Sequence, residues 1–403
     1  MTKPEPFLDA PAAAEALGIS RATLYAYVSR GLVRTVEGPD DPRRRLYNAH
    51  DIAQLKKRKS VGRRPRDVAA TTLDWGLPVL SSAITLIEDG RLFYRGRDAV
   101  QWAARASLEE TALLLWNCGG HDPFAAPSVD APEWDSGLLK RAADLPLAER
   151  CQALLPLIPA GRTTAWQRDS RRLWPGAAAL LRATAAAATA TRPDKQEIRT
   201  QPIHAHLARI WDLDRTGTDI VRRALVLLAD HELNASAFAV RVVASTGASL
   251  GACLNAGHAA LSGPLHGGTT SLVEILMDEI EASGNAAAVV ERRLRRGDGV
   301  PGFDHLLYPE GDPRAAALLP LLPEDAGRSA LIDTMAETAG RHPNVDFALV
   351  AVRRTLALPA GSALALFAIG RTVGWIAHAL EQREEDRLIR PRARYVGPPP
   401  EAP

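Results

Sequence analysis

Apolar positions along most of this chain recur at helical spacing, and few stretches alternate with the period of two that a half-buried strand requires. From Leu108 to about Leu228 the pattern is one of amphipathic helices separated by loops, the longest of them rich in Pro and Trp at residues 121–136 and 159–175. Alanine runs such as Ala177-Ala178-Ala179-Leu180 and Ala185-Ala186-Ala187-Ala188 favour helix. One β-hairpin is expected, where Ala83-Ile84-Thr85-Leu86-Ile87 and Arg91-Leu92-Phe93-Tyr94 flank the turn sequence Glu88-Asp89-Gly90. Small residues from Ala235 to Ala260 suit a helix packed closely on its neighbours. At the start of the chain, residues 8–30 read as two short helices around a tight turn. Leu17-Gly18 closes the first, and Ser20 caps a second that runs through Leu24, Tyr25 and Val28. Asn48 begins a further helix ending in Lys56-Lys57-Arg58-Lys59. The fold class is therefore mainly α.

Composition narrows this further. The 403 residues are 46% hydrophobic and 24% charged, as in a globular protein of one large domain or two to three ordinary ones. Cys118, Cys151 and Cys253 are widely spaced and odd in number, so neither a disulfide framework nor a metal motif is expected. No apolar run of about 18 residues and no export signal stand out, which predicts a cytoplasmic protein without a membrane span. The net charge of +2 is unevenly spread. Residues 1–66 hold 14 basic and 7 acidic residues, 14 − 7 = +7, and the remainder holds 49 − 14 = 35 against 47 − 7 = 40, a balance of −5. A basic module with its own partner is expected at residues 1–59, joined through a polar linker at 60–69 that contains Ser60-Val61-Gly62-Arg63-Arg64-Pro65-Arg66.

The candidate chemistry centres on residues 229–268, where His231 and His266 bracket the small-residue segment. Pro264 ends the preceding helix, and Gly267-Gly268 permits a backbone geometry or a close approach that a side chain would block. A histidine on such a break projects into a cavity more easily than one inside a helix. Most single histidines in a helical protein are solvated or core residues; His50, His121, His204, His206, His342 and His378 are placed in that class, and His258 fits either.

Further along come Pro301-Gly302-Phe303-Asp304-His305 with Gly311-Asp312-Pro313-Arg314, then Pro343-Asn344-Val345-Asp346, Gly370-Arg371-Thr372-Val373-Gly374-Trp375 and Arg390-Pro391. In this order, and with Leu92-Phe93-Tyr94-Arg95-Gly96 before them, they resemble the citrate synthase family over residues 70–397. The resemblance implies a large and a small helical domain closing on a cleft, the small one running from about 268 to 356 inside the large one, with a tail at 398–403. It implies condensation of acetyl-CoA or another short acyl-CoA with oxaloacetate or a related 2-oxo acid, followed by hydrolysis of the thioester.

That reaction needs a base for a weakly acidic proton, a donor for the thioester oxygen where an enol or enolate forms, and a donor for the ketone under attack. By resemblance Asp346 is the base, His266 donates to the thioester and His305 to the ketone. His231, Arg314, Arg371 and Arg390 hold the oxo acid, arginine suiting carboxylates through its planar fork. Val300, Pro301 and Gly302 mark the CoA side. Arg292, Arg293, Arg295 and Arg296 fit either CoA phosphates or a solvated helix face. The resemblance also implies a homodimer in which Arg390 crosses to the partner subunit, acyl-CoA as co-substrate, no permanently bound cofactor and no metal.

The chain departs from the family pattern at three places. Thr269-Thr270-Ser271 replace the usual Ala-Asn. Asp304 stands for a glycine, where its charge is expected to raise the pKa of His305 or compete for its hydrogen bond. Leu306 stands where many members carry arginine.

The N-terminal helices resemble the helix-turn-helix of the MerR and excisionase families, with Pro42-Arg43-Arg44-Arg45-Leu46-Tyr47 in the place of a wing. Arg21, Thr23, Tyr25, Arg43, Arg44 and Arg45 are then the candidate DNA contacts. A small helical cap with solvated charges accounts for the same residues. At the level of the whole chain, the alternative to an enzyme is a transcriptional regulator that uses a synthase-like dimer to sense a metabolite.

Overall fold

A computed structural model describes residues 7–29, 33–37, 45–49, 51–53, 55, 80–125, 134–158, 167–191, 201–393 and 395–398. The chain divides into two compact units, residues 1–81 and 82–403. The Ser60–Arg66 linker, Arg43, Arg44 and Lys56–Lys59 lie outside the described residues.

In the first unit, helices α1 (Ala10–Leu17) and α2 (Arg21–Ser29) meet at Gly18, whose φ of 59° is the left-handed conformation that ends a helix at low cost. Ser20 caps α2, its Oγ accepting the Thr23 N–H at 3.2 Å. Three short strands, β1 (Phe7–Leu8), β2 (Thr35–Glu37) and β3 (Arg45–Asn48), form an antiparallel sheet in the order β1-β3-β2. Ala13, Leu17, Leu24, Val33, Tyr47 and Ile52 make its small core. Residues 51–53 are helical, as expected after Asn48, whose Oδ1 accepts the Asp51 N–H at 3.2 Å.

The second unit opens with the expected hairpin, β4 (Thr85–Glu88) and β5 (Arg91–Tyr94), extended by β6 (Arg97–Asp98). Its other described elements are helices. Its central element is α8 (Ser362–Glu384), packed against α3 (Ser170–Ala188), α4 (Arg215–Leu227), α5 (Ala235–Ser245) and α6 (Leu250–Leu261). Small residues let these helices approach closely: a Cβ on Gly257 of α6 would stand 2.7 Å from the Trp375 indole of α8. Arg241 of α5 is fully buried and is matched by Glu381, Gln382 and Glu385 of α8.

Three expectations need correction. The small-residue segment is two helices, because the chain turns at Gly247 (φ 81°) and Ser249 caps α6. The loop expected over 159–175 gives way to helix at Ser170, where Asp169 caps α3 and Pro175 is accommodated near its start. Among the described residues one helix, α8, is long and apolar enough to cross a membrane, although no such run stood out in the sequence. It is nearly wholly buried among its neighbours and is the core helix of this unit.

Candidate active site

His266 is reached through a chain of caps. Asn234 caps α5, its Oδ1 accepting the N–H groups of Ser236 and Ala237, each at 3.1 Å. This fixes Ser236, whose Oγ lies 2.8 Å from His266 Nε2 and accepts the Trp375 Nε1–H at 3.1 Å. The Ser236 hydroxyl has one proton and two claimants, His266 and Asn234 Oδ1 at 2.7 Å. When that proton points to His266, the imidazole carries its own proton on Nδ1. The glycine pair is required by close approach, since a Cβ on Gly267 would fall 2.2 Å from the Leu261 carbonyl oxygen and one on Gly268 2.8 Å from Pro264 Cα. Burial, helped by Arg371, lowers the His266 pKa to about 4, so the ring is neutral near pH 7.

The second cluster is built around a loop. His231 and His305 meet edge to face with centroids 4.9 Å apart, and Tyr308 touches both. His305 Nδ1 accepts the Leu307 N–H at 3.2 Å, which puts the proton of the neutral ring on Nε2. Burial first and the Arg314 charge second lower its pKa to about 4. His231 is pushed well below its ordinary value by burial, then by Arg314 and Arg371. Asp312 caps the helix Pro313–Leu318 and grips Arg314 through two bonds, Nε–Oδ1 at 2.9 Å and Nη2–Oδ2 at 2.7 Å. Both side chains are almost fully buried.

Asp346 comes from the first turn of α7 (Val345–Thr355), one helix before α8, with Asn344 as the cap. The two loops are zipped together: Asn344 N–H donates to the Gly302 carbonyl and Asp304 N–H to the His342 carbonyl, both at 2.9 Å. Burial, with a smaller push from Asp312 that Arg314 and Arg371 oppose, raises the Asp346 pKa to about 6. Arg371 is 1% exposed inside α8. Its Nε donates to the Leu228 carbonyl at 3.0 Å, and no acceptor among the described residues engages its two terminal nitrogens. A buried guanidinium with two donors to spare is suited to a carboxylate ligand. Burial lowers its pKa to about 10.

The structure thus gathers His231, His266, His305, Arg314, Arg371 and Asp346. Arg390 is not among them; it is exposed after the end of α8. Val300 and Gly302 are buried and Pro301 is partly so, and the Gly302 carbonyl accepts the Asn344 N–H. Arg292 and Arg293 pair with Glu279, and Arg295 pairs with Glu291. Asp304 does not act on His305 as expected. Its φ of 66° is the left-handed conformation that favours glycine and that Asp tolerates, and the turn sends its carboxylate outward to Arg341 at 3.0 Å. Leu306 is 72% exposed. Ser236, Tyr308 and Asp312 were missed as working residues, though Asp312 lay inside a quoted motif and Asn234-Ala235-Ser236 has the form of a cap. A separate cavity of about 720 Å³, lined by His121, Arg168, Arg171, Trp174 and Glu384 among others, holds none of these groups. In the N-terminal unit, Arg21, Tyr25 and Arg45 are exposed, while Thr23 is partly buried and bonded to Ser20.

Comparison with known proteins follows the same division. The family model described as "Citrate synthase, C-terminal domain" matches residues 72–392, and that of the "MerR HTH family regulatory protein" matches residues 10–60. A Mycobacterium tuberculosis protein named for citrate synthase is 40% identical over 191 residues, 44% of this chain. Here the chain spans about half, 51%, of the relative's length. The citrate synthase of Haloferax volcanii is 32% identical over 80% of this chain and 94% of its own. The crystal structure of citrate synthase from Thermotoga maritima superposes with a TM-score of 0.64 at 26% identity, covering 80% of this chain and 94% of that one.

Proposed function

We propose that this chain, which belongs to the citrate synthase family, joins a short acyl-CoA to oxaloacetate or a related dicarboxylic 2-oxo acid and then hydrolyses the thioester. The observation that carries this is the gathering of a buried carboxylate, Asp346, whose pKa burial raises to about 6, with two neutral histidines and two buried arginines. Asp346 is mostly ionised at pH 7, and the proton it accepts is not held too weakly for transfer at that pH.

His266 donates to the thioester oxygen through Nδ1 in the arrangement where Ser236 turns its hydroxyl proton from Asn234 to the His266 Nε2. His305 donates from Nε2 to the ketone. Neutral imidazoles serve both roles, because Arg314 and Arg371 already supply the positive charge that two carboxylates require. Arg314 spends Nε and Nη2 on Asp312, which aims the guanidinium as well as neutralising part of it. Arg390 completes the carboxylate set from the partner subunit of a homodimer, which accounts for its exposure in a single chain. Residues from about 268 to 356 form the small domain whose closure excludes water from the enol or enolate and later admits it for hydrolysis. Val300–Gly302 lie on the CoA side.

Three buried, unpaired cysteines favour a reducing, cytoplasmic setting. Residues 1–59 form a winged helix-turn-helix that binds duplex DNA, a reading supported by the MerR match and by the exposed Arg21, Tyr25 and Arg45. The enzyme reading is tested by thiol release from acetyl-CoA and propionyl-CoA crossed with several 2-oxo acids. Turnover with oxaloacetate is expected; no release with any pair would overturn it.

A further inference from the structure

Tyr308 stands at the centre of the oxo-acid cluster without a role assigned to it so far. Its hydroxyl is 3.0 Å from His231 Nε2. Its ring is 5.1 Å from that of His305, and the Arg314 guanidinium lies 5.6 Å from its centroid. The loop holds it firmly, with the Tyr308 N–H donating to the His305 carbonyl at 2.8 Å and the Gly311 N–H to the Tyr308 carbonyl at 3.0 Å. The side chain is 1% exposed.

Proton bookkeeping then leaves little choice. Burial keeps the phenol protonated, and burial with the two arginines keeps His231 neutral. A neutral imidazole has one N–H and one lone pair. Were the His231 proton on Nε2, it would point at the phenol oxygen, and the phenolic proton would have no other acceptor among the described residues. Buried hydroxyls are seldom left that way. The opposite arrangement satisfies both the hydroxyl and Nε2: the Tyr308 O–H donates to Nε2, and the imidazole proton sits on Nδ1, where no acceptor among the described residues engages it.

We propose that Tyr308 is a positioning residue that locks His231 in the Nδ1-protonated tautomer, so that an uncharged histidine always offers an N–H to the 2-oxo acid. This rests on the oxo-acid reading of the site and deepens it. Without the lock, part of the His231 population would turn a lone pair toward an anionic ligand and repel it. With it, His231 adds a donor without adding a third buried positive charge beside Arg314 and Arg371.

The test uses full-length protein labelled with ¹⁵N-histidine, with the His231 signal assigned by its loss in His231→Asn. In the unaltered protein Nε2 should show the shift of an unprotonated nitrogen. Tyr308→Phe keeps the ring, and it should give a mixed or reversed tautomer. The variant should raise KM for oxaloacetate roughly five- to tenfold while leaving KM for acyl-CoA nearly unchanged. A protonated Nε2 in the unaltered protein, or an unchanged tautomer in Tyr308→Phe, would overturn the proposal. The tautomer is read in the free protein, so it still decides the role of Tyr308 if oxaloacetate fails to bind, an outcome that would remove the substrate assignment alone.

Discussion

Two sets of arginines in this chain place the same charge in opposite environments. Arg314 and Arg371 are 2% and 1% exposed, each held by a specific acceptor, and each has donor capacity left over. Arg21 and Arg45 of the N-terminal unit lie in solvent, as does Arg390 near the end of the chain. A small dicarboxylate must be recognised by charges that are desolvated and fixed before it arrives, since their strength comes from a dry, pre-organised setting. A polyanion needs only a surface density of charge and releases counterions on contact. Burial, rather than arginine content, therefore separates the catalytic part from the basic module.

The largest expected effect follows from breaking the buried pair. Arg314→Leu leaves Asp312 buried without its partner and should cost about 3–5 kcal/mol of stability, read as a lowered thermal midpoint, as well as oxo-acid binding. Arg371→Leu breaks no salt bridge among the described residues, although it removes a positive charge that helps keep the buried Asp230 ionised. It should spare the fold more and lose several kcal/mol of oxo-acid affinity by calorimetry, about 2–5 by analogy with other desolvated charges. Arg390→Leu should leave the melting temperature unchanged and still weaken oxo-acid binding if the partner's copy completes the site; unaltered binding would confine the site to one chain.

A smaller effect concerns pH. Asp346 has its pKa raised to about 6, so it takes up a proton as pH falls through that value and stops serving as a base. His266 and His305 are lowered to about 4 and stay neutral throughout. The profile of kcat/KM for acyl-CoA should show one acid limb near pH 6. A second inflection between pH 6 and 7 would mean that one of the histidines titrates in the working range.

Least coupled to catalysis is the basic module. Deleting residues 1–59 should abolish retention on duplex DNA and leave turnover intact. Binding by the whole chain should weaken roughly a hundredfold between about 50 and 200 mM salt if about four phosphates are neutralised. Turnover lost with the deletion would mean that the module is part of the catalytic fold.

Most residues of the candidate cluster were legible because the resemblance that named them rests on residue types in a fixed order. His231, His266, His305, Arg314, Arg371 and Asp346 do converge. Less legible was everything decided by the third dimension. Ser236 lay unremarked in the small-residue segment, and only the approach of the His266 loop makes it a partner. Tyr308 was not singled out in the sequence, because only the fold brings its hydroxyl to His231, 77 positions away. Asp304 was judged by its distance along the chain from His305, yet a left-handed backbone turns it to Arg341. At the fold level, alternation placed the hairpin correctly. Pro175 suggested a loop because proline disrupts helix interiors, a cost that is smaller near a helix start.

The central claim is that Asp346 removes a proton from the carbon next to the thioester. Exchange of the acetyl-CoA methyl protons into deuterated water, followed by mass spectrometry in the presence of a bound oxo-acid analogue, tests it most directly. The unaltered protein should incorporate deuterium, and Asp346→Asn should lose that exchange by about a thousandfold or more while still binding the analogue. Full exchange in the variant would contradict the assignment and place the base elsewhere in the cleft.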